Sequence, residues 1–446
     1  MFDLQSSHSE LSSSPGPLQG PPPAPPFAGA SANSGIDLGH NHCMRLVNRP
    51  PVIMARGSGS WLFAEDGTRY LDFVQGWAVN SLGHAPELIR RTLLEQSSAL
   101  LTTSPAYFTR PALELAELLC RLSRLHSVFL CNSGAEATDA AIKLARKWAQ
   151  KHRPGAYKVI TTHNSFHGRT LAAVSASGKP GWETAFPPNL PGFCKVPFGD
   201  ALAVKNAIDA ETCAVMLEPI QGEAGVVVPP DGYLAELRAI TERAGILLIL
   251  DEIQTGCSRT GPFLRSQAEG VVPDILTLGK GLGGGVPVAA LLASERATCF
   301  ELGDHGGTYC GNPLTAACAL EVVKAISTPE FSRNVLERGE QLSNGLARLR
   351  DALPGAGIVE VRGAGLLYAL RLDHDGAEAI RDRCFELGLL INAARPNLVR
   401  FMPQLAVDAT AIELMLEILG RALSELAAQR PLQPRQAERL EAPARG

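Results

Sequence analysis

The chain has 446 residues, 45% of them hydrophobic and 19% charged, with a formal net charge of −4. This composition excludes a disordered or fibrous protein, and the charge gives no electrostatic footing on nucleic acid or an anionic membrane. The length exceeds one ordinary core, so two domains or one large α/β domain are expected.

Apolar runs such as Gly245-Ile-Leu-Leu-Ile-Leu250 fall far short of the roughly 20 residues that span a bilayer. Ten cysteines without a C-x-x-C pair suit buried, reduced thiols and a cytoplasmic location better than a disulfide or zinc framework. Residues 1–38 are rich in Ser, Pro and Gly, as in Pro21-Pro-Pro-Ala-Pro-Pro26, and are expected to be disordered. With no Lys or Arg before Arg45, this stretch resembles neither a secretory n-region nor an Arg-rich transit peptide. Segment 39–88 carries two strand-like runs around Asp66-Gly67, a hairpin turn, and is expected to pack with a smaller domain. Across 89–327, strand-like runs at 128–131, 158–161, 214–218, 246–251 and 275–278 alternate with helical stretches, among them 135–150 and 233–244. That alternation predicts a mainly parallel sheet flanked by helices. Segment 328–429 predicts helices at 332–349, 377–387 and 409–426 with short strands between, a smaller α+β domain. The Arg/Pro/Glu-rich end, 430–446, reads as a loose tail.

In parallel α/β sheets, ligand-binding groups gather where strands give way to loops, and three such places carry chemistry. In Phe129-Leu-Cys-Asn-Ser-Gly-Ala-Glu136 a strand leads through Ser133-Gly134-Ala135 into a long helix. The helix N-terminus suits a phosphate, although an ordinary Ser/Asn cap explains the same string. A second apolar strand ends on Asp251, a carboxylate that needs a cationic partner. The ring nitrogen of pyridoxal phosphate is such a partner, and its protonation makes the ring an electron sink; a helix N-terminus or an arginine would also serve. In Leu278-Gly-Lys-Gly281 the glycines leave room for a bulky cofactor at Lys280, one of only nine lysines in the chain. An amine beside a cationic ring has a lowered pKa, which favours Schiff-base chemistry; a solvated loop lysine is the plain alternative.

Taken in order, the strings Asn132-Ser-Gly-Ala-Glu136, Ser165-Phe-His-Gly-Arg-Thr170, Glu218-Pro-Ile-Gln-Gly-Glu-Ala-Gly-Val226, Asp251-Glu-Ile-Gln254, Arg259-Thr-Gly261, Leu278-Gly-Lys-Gly281 and Gly311-Asn-Pro313 give the chain a family likeness. It resembles the class III aminotransferases of fold type I, most closely their acetylornithine branch. The resemblance implies an α/β fold with a large pyridoxal-phosphate-binding domain (89–327) and a smaller α+β domain. It implies that Ser133, Gly134 and Ala135 hold the cofactor phosphate, that Phe166 stacks on the ring, that Asp251 faces the ring nitrogen and that Gln254 lies near the ring hydroxyl. Lys280 would form the internal aldimine and carry the proton. Thr308 would reach the phosphate in the neighbouring subunit, making a homodimer with shared sites.

For substrates, the resemblance implies that Arg169 binds a donor carboxylate and Arg400 the α-carboxylate of 2-oxoglutarate. Glu223 would neutralise Arg400 in the other half-reaction; a purely structural salt bridge is the alternative. The implied reaction is ping-pong transfer of the terminal amine of N2-acetyl-L-ornithine to 2-oxoglutarate, a step of arginine biosynthesis. His167 resembles the acetylornithine branch, where the ornithine branch tends to have Trp. Gly307, at a substrate-contacting position, departs from the usual Ser or Thr, and Cys310 from a usual Gly. Ornithine, succinylornithine, 4-aminobutyrate, putrescine and β-alanine remain alternative donors, and a fold-type-I racemase, mutase or decarboxylase an alternative chemistry. A non-catalytic relative is a further reading.

Overall fold

The computed structural model describes residues 36, 37, 39 and 42–429. The expected Pro-rich extension (apart from 36 and 37) and the expected tail at 430–446 lie outside the described residues. The described residues divide into two compact units, those up to 55 with 64–68, and 56–63 with 69–429. In the first, Asp66 and Gly67 form the anticipated turn: Asp66 Oδ1 accepts the Thr68 amide at 2.9 Å, and the Ala64 amide donates to Thr68 O at 2.8 Å. Gly67 takes φ +89°, a conformation that costs glycine nothing.

The second unit is built on a seven-stranded sheet. In spatial order its strands are Ser127–Cys131, Ala289–Ala293, Ile275–Leu278, Leu247–Asp251, Thr212–Leu217, Lys158–Thr162 and Phe193–Val196. Ala289–Ala293 runs antiparallel to both neighbours, and every other pairing is parallel. Both faces are buried, so the central strands are mostly apolar rather than alternating, with Asp251 and Thr277 as polar exceptions near their ends. Leu247 and Ile249 point to one face, where Ile142, Leu144 and Trp148 of the helix Gly134–His152 cover them. Leu248 and Leu250 point to the other, against Leu237 of the helix Tyr233–Ala244 and Leu118 and Leu119 of the helix Arg110–Ser123.

A separate antiparallel sheet has the order Ile358–Ala364, Leu367–Leu372, Leu398–Phe401, Asn392–Arg395. Its buried side chains, among them Leu370, Leu372, Val399 and Phe401, share a cluster with Leu342, Leu346, Ile380, Met415 and Leu419. Those residues lie on the helices Pro329–Ala352, Ala377–Glu386 and Ala409–Gln429.

The strands read at 128–131, 158–161, 214–218, 246–251 and 275–278 and the helices read at 135–150, 233–244, 332–349, 377–387 and 409–426 stand where the sequence placed them, with ends shifted by a few residues. Two strands of the seven-stranded sheet went unread. Ala289–Ala293 is a five-residue Ala/Leu run with no β-branched residue, and its composition carries no strand signal; Phe193–Val196 is an edge strand of four residues carrying Lys195, too short for Phe193 and Val196 to give one. Among the described residues, no helix is long and apolar enough to cross a membrane, and no group of three or more His, Cys, Asp or Glu side chains is placed to hold a metal.

Candidate active site

The parallel strands deliver their C-terminal ends to one edge of the sheet. Leu247–Asp251 ends on Asp251, only 3% exposed. Its Oδ1 accepts from the Ile253 amide at 3.1 Å and from Thr277 Oγ1 at 3.2 Å, while Oδ2 meets His167 Nδ1 at 2.7 Å. Burial disfavours a charged imidazole at His167, but the hydrogen bond and charge of Asp251 outweigh it and raise the pKa above the ordinary value. His167 Nε2 is buried without a partner. Beside this pair, Glu218 follows the strand Thr212–Leu217 and accepts the Phe166 and Gly222 amides at 2.9 and 3.1 Å. Burial pushes its carboxyl up to about 7.

Phe166 is half-buried and packs on Trp182 with ring centroids 5.5 Å apart. The exposed Arg169 lays its guanidinium 4.9 Å from the Trp182 ring and 5.7 Å from that of Phe166. These contacts hold the cation by its π partners rather than by a carboxylate.

Lys280 follows the strand Ile275–Leu278 and takes φ +43°, in the left-handed region. A non-glycine residue held there, beside glycines, marks a backbone constrained by its surroundings. The turn is pinned by Ser81, whose hydroxyl donates to Gly281 O at 2.9 Å. The residue is half-buried; burial lowers the amine's pKa, Glu223 opposes that, and Arg400 adds to it.

Arg400, on the strand Leu398–Phe401, has no exposed surface. Its Nη1 reaches Glu223 Oε1 at 2.8 Å, Gly222 O at 2.8 Å and Gln254 Oε1 at 3.2 Å, and Nε donates to Asn392 Oδ1 at 3.1 Å. Nη2 has no partner, and neither has Gln254 Nε2. Burial works against ionisation of Glu223, but Arg400 and then Lys280 hold its carboxyl down at about 2. Gly222 is required by space: a Cβ there would lie 1.6 Å from Gln254 Oε1.

At the strand end Ser127–Cys131, Ser133 caps the helix Gly134–His152, its Oγ accepting the Glu136 amide at 3.3 Å. Glu136 Oε2 returns to the Asn132 amide at 2.7 Å and to Asn132 Nδ2 at 3.0 Å. The cap is therefore real, yet the first-turn amides of Gly134 and Ala135 have no intrahelical acceptor by geometry. A Cβ at Gly134 would meet Ile253 Cδ1 at 2.8 Å. Thr308 and Gly307 stand on a turn closed by the Cys310 amide donating to Gly307 O at 3.1 Å, with Thr308 exposed.

Lys280, Glu223, Arg400 and Gln254 are thus brought together, and His167 and Glu218 link Asp251 to Phe166. Sequence reasoning gave no structural role to His167, Glu218, Gly222 or Asn392. The first three fall inside the motif strings, which was the available signal; Asn392 had none.

A buried carboxylate, an amine whose pKa burial lowers, a helix N-terminus and unpartnered donors on Arg400 and Gln254 fit a small aldehyde with a basic ring and a phosphate, and substrates with carboxylates. That set of groups defines a pyridoxal-phosphate enzyme. Residues 44–423 match the family model for aminotransferase class-III, and the chain belongs to that family, whose members are pyridoxal-phosphate-dependent transaminases acting between an amine donor and a keto acid. The acetylornithine aminotransferase 2 of Bordetella bronchiseptica is 50% identical over 387 residues, covering 86% of this chain and 97% of that protein. The crystal structure of N-acetylornithine aminotransferase from Stenotrophomonas maltophilia superposes with a TM-score of 0.76 at 35% identity, over 89% of this chain and all of that one (100%). The ornithine aminotransferase of Toxoplasma gondii gives a TM-score of 0.86 at 31% identity, over 91% and 97% of the two chains.

Proposed function

We propose that this enzyme transfers the terminal amine of N2-acetyl-L-ornithine to 2-oxoglutarate, giving N-acetyl-L-glutamate 5-semialdehyde and L-glutamate. It would act in arginine biosynthesis, in the cytoplasm and as a homodimer. The curated relatives at 47–50% identity are named for acetylornithine, and this supports the donor assignment. The observation that carries the two-substrate reading is Arg400: a fully buried cation with one donor unpartnered and Glu223 as its carboxylate.

Bound pyridoxal phosphate supplies an electron sink for the carbon that loses or gains the amine. Ser133, Gly134 and Ala135 would hold its phosphate, Phe166 would stack on the ring, and Asp251, backed by His167, would keep the ring nitrogen protonated. Gln254 would present Nε2 near the ring hydroxyl. Lys280 would anchor the cofactor covalently, then act as a base at the donor's amine-bearing carbon. Its lowered pKa favours the neutral amine that both tasks need.

The donor's reacting carbon bears no carboxylate, so in that half-reaction Glu223 would keep Arg400 neutralised while Arg169 holds the distant carboxylate. In the second half-reaction the α-carboxylate of the oxo acid would displace Glu223 and take Arg400 through Nη1 and Nη2. Gly307 would border the substrate, and Thr308 would contact the phosphate in the partner subunit. The separate buried clusters of the two sheets support a division into a large domain, 89–327, and a smaller one, 328–429.

The test is to supply the holoenzyme with N2-acetylornithine and 2-oxoglutarate. Glutamate and semialdehyde should form one for one; consumption of the amine without glutamate would refute transamination to 2-oxoglutarate.

A further inference from the structure

Gly306 and Gly307 are adjacent glycines with different reasons to be there. A Cβ on Gly306 would meet nothing within 4 Å, whereas one on Gly307 would sit 2.4 Å from Cys310 Sγ. The φ of Gly307 lies outside the left-handed region, so its backbone would accept any residue. Only the Cys310 thiol demands glycine at 307. The thiol itself is placed by its surroundings. Asn132 Nδ2 points at Sγ from 3.9 Å, and Cys310 packs against the buried cluster of Cys131, Ala137 and Ala289. Asn132 also gives its amide and its Nδ2 to Glu136, which fixes the start of the helix Gly134–His152.

We propose that Cys310 is a positioning residue: its thiol fills the space of the side chain missing at Gly307 and fastens the 307–311 turn to Asn132, so that the turn and the Ser133-Gly134-Ala135 junction are held as one unit. The positioning half of this proposal rests on the reading of that junction as the cofactor-phosphate site. Gly307 and Cys310 are then one exchange of volume: the thiol of one takes the space that a side chain on the other would need. Rotating the single χ angle of Cys310 to clear a side chain at 307 would carry Sγ away from its present contact with Asn132 Nδ2.

The experiment is a double-mutant cycle on the full-length protein: wild type, Gly307→Ser, Cys310→Gly and the double variant, with Cys310→Ser as the conservative control. Two quantities are read for each: the melting temperature of the apoprotein, and the affinity of the apoprotein for pyridoxal phosphate by fluorescence titration. Each single change should weaken cofactor binding about five- to tenfold and lower the melting temperature, and the double variant should recover to within about twofold of wild type, since side chains in direct contact couple strongly. Cys310→Ser, which keeps a small group able to accept from Asn132, should bind the cofactor like wild type.

Simple additivity in the double variant would overturn the exchange. So would wild-type cofactor affinity in Cys310→Gly. If Gly307→Ser yields no folded protein, the comparison of Cys310→Gly with Cys310→Ser decides, because a thiol with no positioning role would make the two equivalent. Gly134→Ala separates the underlying reading: unchanged cofactor affinity in that variant would remove the phosphate assignment, and the positioning role with it. The apoprotein melting cycle would still report whether 307 and 310 share one space.

Discussion

Replacing Glu223 by Gln keeps the shape of the side chain and a hydrogen bond to Arg400 while removing the charge. The carboxyl of Glu223 is held at about 2 against an ordinary value of 4.5, which amounts to about 3 kcal/mol in favour of the ionised form. The side chain is 30% exposed, and solvent screening trims this to about 2–3 kcal/mol. In Glu223→Gln the Arg400 guanidinium, with no exposed surface, faces the amine donor without a counter-charge. The donor half-reaction should slow by about 30- to 160-fold, the rate equivalent of that energy. The oxo-acid half-reaction should keep its rate and show a lower KM for 2-oxoglutarate, because no side-chain carboxylate competes for Arg400. Single-turnover absorbance of the cofactor, with each substrate alone, separates the two. An equal loss in both half-reactions would refute the argument and leave Glu223–Arg400 as a structural salt bridge.

The same pair sets an acid limb. The folded-state pKa of Glu223 lies below the ordinary value, so the stabilisation is complete above about pH 5 and lost as pH falls toward about 2; the difference in unfolding free energy between wild type and Glu223→Gln should shrink over that window, and a difference that stays constant would contradict it. Lys280→Ala should abolish turnover and covalent attachment of the cofactor while far-UV circular dichroism stays native; normal turnover would remove Lys280 from the mechanism. Arg169→Ala should raise KM for acetylornithine about tenfold or more through loss of a charge pair with the substrate, and an unchanged KM would mean that the carboxylate is held elsewhere. Gly222→Ala places a methyl where Gln254 Oε1 stands 1.6 Å away, so it should displace Gln254 and Arg400 and lower kcat/KM about a hundredfold or more; wild-type kinetics would show the Gln254–Arg400 contact to be dispensable.

The legible part of the fold was the part whose signal is local. The runs ending at Asp251 and Leu278 are largely apolar strands, and each ends on or within two residues of the residue that matters. Ala289–Ala293 escaped because its strand identity comes from pairing with Ile275–Leu278 and with Ser127–Cys131, the second of them distant in sequence, and not from its own composition. The site shows the same divide. Lys280 and Asp251 announce themselves by position, whereas the 2.7 Å contact of His167 with Asp251 joins residues 84 apart. The shell of Arg400 gathers Gly222, Glu223, Gln254 and Asn392 from three separate stretches of chain. Nothing in the sequence shows that Gln254 and Cys310 occupy the space facing Gly222 and Gly307.

The most direct test of the proposed activity is the ratio of kcat/KM across amine donors, with 2-oxoglutarate as acceptor and acetylornithine, ornithine, 4-aminobutyrate and putrescine compared on one holoenzyme preparation. The account predicts that acetylornithine leads the others by tenfold or more, about 1.4 kcal/mol of discrimination, with glutamate formed one for one. A lead for ornithine, 4-aminobutyrate or putrescine would contradict it.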